Sequence, residues 1–478
     1  MMKRLLCVLL SCVMIAALLA CSKQEETPSA TEQGKAAVPA GLYIGFGQAD
    51  ITPPLGTYLG GYGQVENRPA ESLLDYLYAT CLAIRDGGDI YLLYNMDALR
   101  TEEEWANGLR KQVNEATGVK PENIMVMSTH SHSSPEHRNA EVKNMAWEDY
   151  MEGGVAAAEA AIADLAPATL SVGSTKIEKL TFVRHYLMND GTYSGDNFGN
   201  TASGYKDYAT EGDEELRVVK IERPDKADVA ICNWGAHPCI TGGTTKYELS
   251  ADYPGATRAK LKAAGIEMFF ILGAAGNQNA RTYLRKDQPN PDLETYATRL
   301  SEGIMAALES ATPIGNSGVE ILKRDVVYDV QRGSSDPETL SHAREVVAVW
   351  GDQSREAGNA LAVQYGFHSV YHASAIISNS SRTQEKDTIE LFVTRIGDLA
   401  IVHAPYEMFS NSSLYIKENS AFGAATLIAT MSNKGWGYFP TKEAYAYGCY
   451  ESFGAMFVSG VAEDIADEYV DMLAQLKK

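Results

Sequence analysis

The stretch Ile124-Met125-Val126-Met127-Ser128-Thr129-His130-Ser131-His132-Ser133-Ser134-Pro135 decides how the chain is read. Four apolar residues ahead of a Ser-rich run predict a buried strand that opens into a loop. Side chains in extended chain repeat every two residues, so His130 and His132 are expected on one face of the strand end. Imidazole is the commonest metal ligand and the usual proton carrier near neutral pH. Open α/β sheets gather ligands at the carboxyl ends of their strands. The stretch therefore points to an enzyme, and to a metal-dependent one.

Working outward, the pattern of apolar strand and polar end recurs. Residues 76–84 and 90–94 flank Asp86-Gly87-Gly88-Asp89, and 216–221 and 229–233 flank Pro224-Asp225-Lys226; both read as hairpins. Residues 268–272 and 399–403 read as further buried strands. Helical spacing covers 101–117, 145–165, 252–264, 292–310 and 337–361. Strands alternating with helices predict an α/β fold, a layered mixed β-sheet with flanking helices. No internal repeat is visible, and 42–478 reads as a single large catalytic domain. Several strand ends carry polar groups that a turn does not require: Asp97, His237, the run Gly273 to Asn279, and Glu407. One such residue is ordinarily structural; several together predict a shared site. Gly273 to Gly276 is not a phosphate loop, because no Gly-Lys-Ser/Thr follows.

The 478 residues are 45% hydrophobic and 22% charged, ample for a large core, with a formal charge of −21. That acidity argues against nucleic acid, whose phosphates need Lys and Arg clusters. Lys3 and Arg4 precede an apolar stretch from Leu5 to Ala20, too short for a typical span and readable as a signal peptide over 1–20. Leu18-Leu19-Ala20-Cys21 looks like a bacterial lipobox, which implies a lipid on Cys21 and a membrane anchor outside the cytoplasm. Residues 22–41 are polar and aperiodic and read as a flexible tether. Cys81, Cys232, Cys239 and Cys449 have no zinc-ribbon spacing and read as small buried hydrophobes.

Longer motifs carry a resemblance. Gly45 to Pro54 looks like the opening strand of the neutral, non-lysosomal ceramidases. Thr129-His130-Ser131-His132-Ser133 is similar to their Thr-His-Thr-His-Ser motif. Asn233-Trp234 through His237 resembles their second metal-histidine segment, and Ser250-Ala251-Asp252 their Ser-Gly-Asp. Tyr438 to Tyr445 with Tyr450-Glu451 resembles their Tyr-x-x-Thr-x-Glu-x-Tyr…Tyr-Glu run. The resemblance implies the family's N-terminal catalytic fold and one zinc per chain on His130, His237, Glu407 and Tyr438. Arg184 matches a family arginine near the substrate, able to hold a carboxylate or oxyanion bidentately, and Tyr450 a second active-site tyrosine. His132, on the same strand face as His130, is the candidate for an oxyanion donor or proton shuttle, and Asp97 and Asp252 are candidates for supporting the site. The reaction implied is cleavage of an amide or ester by metal-activated water, on a lipid or small-molecule acyl substrate.

The chain departs from the family at Gly276-Asn277-Gln278-Asn279-Ala280-Arg281. Asn279 stands where characterised members carry serine, and Asn277 where they carry aspartate. Asn279 cannot be an alkoxide nucleophile, yet it can donate to an oxyanion. The chain also ends soon after the Tyr-Glu run, so the family's C-terminal immunoglobulin-like domain is expected to be absent. Two alternatives follow: the same site acting on a soluble acyl substrate, or an inactive substrate-binding lipoprotein. His137, His342, His368 and His372 read as ordinary residues, and His403, four before Glu407, is a weaker candidate for a supporting role.

Overall fold

One topology is used three times. The computed structural model describes residues 41–62, 68–136, 140–195, 204–243, 246–282 and 290–478. The signal segment, Cys21, the tether up to residue 40, and His137 lie outside the described residues. Strand β1 (Leu42–Asp50) pairs antiparallel with β2 (Tyr78–Asp86), and β2 with β3 (Asp89–Met96). The chain leaves through α1 (Glu103–Thr117) and returns as β4 (Ile124–Ser128), parallel to β3. Helix α1 forms for readable reasons. Trp105, Leu109 and Val113 recur every four residues and are buried, Glu103 and Glu104 occupy the first turn, and Gly118 closes the end in the left-handed region. Helix α2 (Ala140–Ala163) lies on the same outer face.

The second sheet repeats the plan. Strands β5 (Thr169–Lys176), β6 (Glu215–Glu222) and β7 (Val229–Trp234) run antiparallel; α3 (Asp252–Ala263) then leads to β8 (Glu267–Leu272), parallel to β7. Helix α4 (Leu293–Glu309) covers it, capped by the Asp292 side chain accepting from the Thr295 amide. In the third sheet β9 (Val319–Asp329), β10 (Lys386–Ile396) and β11 (Leu399–His403) run antiparallel. Inserted between β9 and β10 are α5 (Pro337–Asp352), α6 (Arg355–Gln364) and α7 (Val370–Ser380), with a small core of their own around Val346, Phe367 and Val370. Helix α8 (Ser410–Asn419) crosses over to β12 (Thr426–Ala429), parallel to β11, and α9 (Val461–Leu476) packs outside.

Helices cover the outer faces, and the inner faces meet in one central core. Leu82, Met125, Ile231, Phe269, Leu399 and Leu427 belong to it, two from each sheet, and all are buried. The fold is thus a mixed α/β architecture, and residues Ala40–Lys478 form one compact unit. The repetition is invisible in the sequence because each unit keeps only apolar alternation, which many sequences satisfy. Two further expectations are corrected. The strand before the His-x-His motif ends at Ser128, so both histidines lie in a loop. The helix expected over 337–361 is two helices, because the Ser354 side chain caps a new start by accepting from the Ala357 amide. Cys81, Cys232, Cys239 and Cys449 are buried, and none of them forms a disulfide among the described residues.

Helix α2 sits so close to β1 that Gly45 and Gly47 have no room for a Cβ: one would overlap the Ala161 carbonyl oxygen, the other that of Ala157. Gly47→Ala should therefore lower unfolding stability by about 1–3 kcal/mol, the usual cost of overpacking. Urea denaturation checks this, and an unchanged midpoint would contradict the close approach.

Candidate metal centre

Parallel strand pairs leave their carboxyl ends on one side, and the expected ligands come from there. His130 follows β4, His237 follows β7 and Glu407 follows β11. His130 has a left-handed backbone, φ 65°, in a non-glycine residue. Such conformations persist where the surroundings enforce them and cluster at functional sites. Here the His130 amide donates to the Ala98 carbonyl and the His132 amide to that of Pro238, at 2.9 Å each. This loop geometry, rather than strand alternation, brings the imidazoles together. One nitrogen each of His130, His132 and His237 lies within 4.8 Å of the others.

The lone pairs can be assigned. His237 Nδ1 lies 2.6 Å from the Ala275 carbonyl oxygen, and His130 Nδ1 is likewise against that of Leu99. A carbonyl only accepts, so each Nδ1 carries the proton and each Nε2 points inward. His130 Nε2 and His237 Nε2 stand 3.3 and 3.1 Å from Glu407 Oε2. Neither His237 Nε2 nor Glu407 Oε2 has a hydrogen-bond partner, and both are buried. Burial, reinforced by Arg184, holds the His237 imidazole below its ordinary pKa and so neutral. A neutral imidazole lone pair facing a carboxylate oxygen is repulsive unless a cation lies between them. The donor set of imidazole nitrogen and carboxylate oxygen suits zinc.

Tyr438 reaches the same place through the backbone. Glu407–Met408 and Tyr438–Phe439 form a short parallel pair in which Glu407 faces Tyr438. The Tyr438 ring stacks on His237 with centroids 6.5 Å apart, and burial, then Glu407, pushes its hydroxyl well above its ordinary pKa. His132 Nε2 lies 3.4 Å from His130 Nε2. Its Nδ1 has no partner, and burial, then His130 and His237, keeps it neutral. Tyr450 packs edge-on to Tyr438 at 5.8 Å, and burial pushes its hydroxyl up to about 12.

Arg184 lies beside Tyr438 with one edge of its fork already engaged. Its guanidinium lies 5.4 Å from the Tyr438 ring centroid, yet its Nε and Nη2 both meet Glu451 Oε1. That edge of the fork is taken, so a bidentate grip on a substrate through it is excluded. The other oxygen of Glu451 meets His185 Nε2 at 2.9 Å, and His185 Nδ1 meets the Tyr447 hydroxyl at 2.8 Å. Asn279 bridges to His237 through the backbone, and its Oδ1 accepts from Cys239 Sγ and the Ala280 amide. Asn277 anchors α8, accepting from the Ser410 amide and donating to its hydroxyl.

Asp97 and Asp252 bond to groups other than the candidate ligands. Asp97 pairs with Arg258 at 2.6 Å and accepts from the Tyr78 amide. Asp252 accepts from the amide and hydroxyl of Thr241, fixing the loop after His237. Sequence reasoning passed over Gln278, whose side chain donates to Gly235 and Ala274 and accepts from Asp213, tying the His237 loop to its neighbour. It also passed over His185, and over Gly276, where a Cβ would crowd the Glu407 carbonyl. His342, His368 and His372 lie in or beside the inserted helices, stacked on Tyr365 or packed against Phe453.

Residues 42–264 match the family model for neutral/alkaline non-lysosomal ceramidase, N-terminal. The resemblance to that family is borne out. Two solved structures share the fold over most of the ceramidase-like chain. One is a ceramidase complexed with C2, with TM-score 0.69 and 17% identity over 92% of this chain and 76% of that one. The other is the neutral ceramidase from Pseudomonas aeruginosa, with TM-score 0.67 and 17% identity over 92% and 75%. No curated protein matches by sequence.

His403 does not join the centre. It is buried within the third sheet, sharing a 2.9 Å hydrogen bond with Thr394, and burial, then Arg110, lowers its pKa to about 3. The unfolded chain takes up this proton below about 6.5 and the folded one does not. Stability from His403 is therefore present above that pH and lost on acidification toward about 3. Between those limits, wild type should lose about 1.4 kcal/mol per pH unit more than His403→Gln. Denaturation midpoints across this range test it, and parallel profiles would refute it.

Proposed function

We propose that this ceramidase-like chain is a metal-dependent hydrolase that cleaves an N-acyl amide or an ester, with one zinc per chain. The observation that carries the reading is the partnerless pair of His237 Nε2 and Glu407 Oε2. His130, His237, Glu407 and Tyr438 would hold the ion. When bound, zinc supplies a Lewis acid for a carbonyl and an acidified water near neutral pH. His132, neutral and beside His130, takes up a proton and passes it to the leaving group. Tyr450, protonated at neutral pH, donates to oxygen that gains charge, and the Asn279 amide is a further donor. The ceramidase match favours a lipid acyl substrate. Asn279 at the serine position favours the second reading, a soluble acyl substrate on the same site.

Purified protein from zinc-supplemented growth should hold about one zinc per chain and turn over a member of a panel of acyl amides and esters. His237→Ala should lose more affinity than the about 10–100-fold that an outer-shell change costs. His132→Gln should keep the metal and lose about 10²–10⁴-fold in turnover. Asn279→Ala should cost about 10²–10³-fold, and rapid mixing should show no burst. Absence of stoichiometric metal rejects the reading, and a covalent acyl adduct on wild type rejects the water route. Metal without any turnover leaves a binding protein.

We also propose a lipid anchor at Cys21 that holds the domain outside the cytoplasm, on the strength of the Leu-Leu-Ala-Cys run. Labelled fatty acid should enter the protein and be lost in Cys21→Ser. Unlabelled wild type in the cytosol would contradict this.

A further inference from the structure

Arg184, His185 and Glu451 form a buried charged group just behind the candidate metal centre, with exposures of 5%, 2% and 1%. An unpaired guanidinium at such depth is strongly unfavourable, so it must find a carboxylate. Two carboxylates act on it: Glu451, in direct contact, and Glu407, the proposed zinc ligand. Arg184 also lies over the ring of Tyr438, whose backbone pairs with Glu407. Arg184 therefore stands between a partner that it touches and a metal ligand that it would neutralise.

We propose that Glu451 is a positioning residue that keeps Arg184 off Glu407 and so preserves a free carboxylate for the metal. Its geometry suits the role. Oε1 takes both Nε and Nη2 of Arg184, while Oε2 is fixed by His185, itself fixed by the Tyr447 hydroxyl. Glu451 is the second residue of a short helix, Tyr450–Gly454, whose carbonyls are held from neighbouring elements. The Asn379 side chain donates to the Phe453 carbonyl, and Gln331 to those of Ser452 and Phe453. The carboxylate cannot follow Arg184 if the arginine swings away. Without Glu451, the guanidinium is left to Glu407, the other carboxylate that acts on it, and a cation would then compete with zinc for it.

This assignment rests on the hydrolase reading only for the presence of zinc. Zinc affinity, measured by competition with a chromogenic chelator, should fall about 10–100-fold in Glu451→Gln, as for other residues behind a metal ligand. The double variant Glu451→Gln/Arg184→Gln should recover to within about threefold of wild type, because the competing cation is gone. This rescue separates positioning from a loss of structure, which a second substitution would deepen. Unchanged affinity in the single variant, or no recovery in the double, overturns the proposal. If Glu451→Gln does not fold, His185→Asn takes its place and should weaken zinc in the same direction, again with rescue by Arg184→Gln. A wild-type chain that binds no zinc sinks the hydrolase reading alone. The Arg184 Nε–H resonance then decides: slow exchange in wild type and rapid exchange in Glu451→Gln support the hold, and slow exchange in both refutes it.

Discussion

The site depends on an electrostatic conflict that the protein chain leaves unresolved. His237 Nε2 and Glu407 Oε2 are 3.1 Å apart, buried, and without a shared proton. The conflict is built from outside. The Ala275 and Leu99 carbonyls take the Nδ1 protons and turn the opposite lone pairs of His237 and His130 inward. Those carbonyls belong to loops after β8 and β3, so the protonation of the site is set by backbone remote from it in sequence.

Much of the surrounding structure serves to keep this arrangement from relaxing. His130 and Asp252 both hold left-handed backbone, φ 65° and 56°, which other contacts enforce. Gly276 lets one loop lie directly on the Glu407 strand. Gln278 spends its whole amide on neighbouring backbone. Removing such polar ties would leave buried groups unpaired, which costs more than the bonds themselves contribute.

The sequence was most legible where chemistry and periodicity coincide. The two early hairpins, α1, α3, α4 and the strand Leu399–His403 follow from apolar spacing and turn residues. His130, His237, Glu407 and Tyr438 were nameable because imidazole, carboxylate and phenol at strand ends are uncommon and family motifs frame them. The exposed alternation of Val319–Asp329, with Glu320, Lys323, Arg324 and Asp325, hid a long strand among charges. Likewise, nothing local marks Gln278 or His185, whose roles exist only through partners far along the chain. Arg184 was nameable, but nothing local pairs it with Glu451, which lies 267 residues away.

The threefold plan has a consequence for the order of events in the life of the chain. Each sheet delivers at least one group to the centre: His130 and His132 follow the first, His237 the second, and Glu407 the third. No sheet alone holds more than a weak, open set of donors, and a chelate gains its strength only when all its arms are fixed together. A nascent chain with two sheets formed would bring together the imidazoles of His130, His132 and His237 but would lack Glu407 and Tyr438. If the proposed zinc is bound, its full donor set is complete only at the last stage of assembly, and the compartment in which folding ends would then decide which ion is taken.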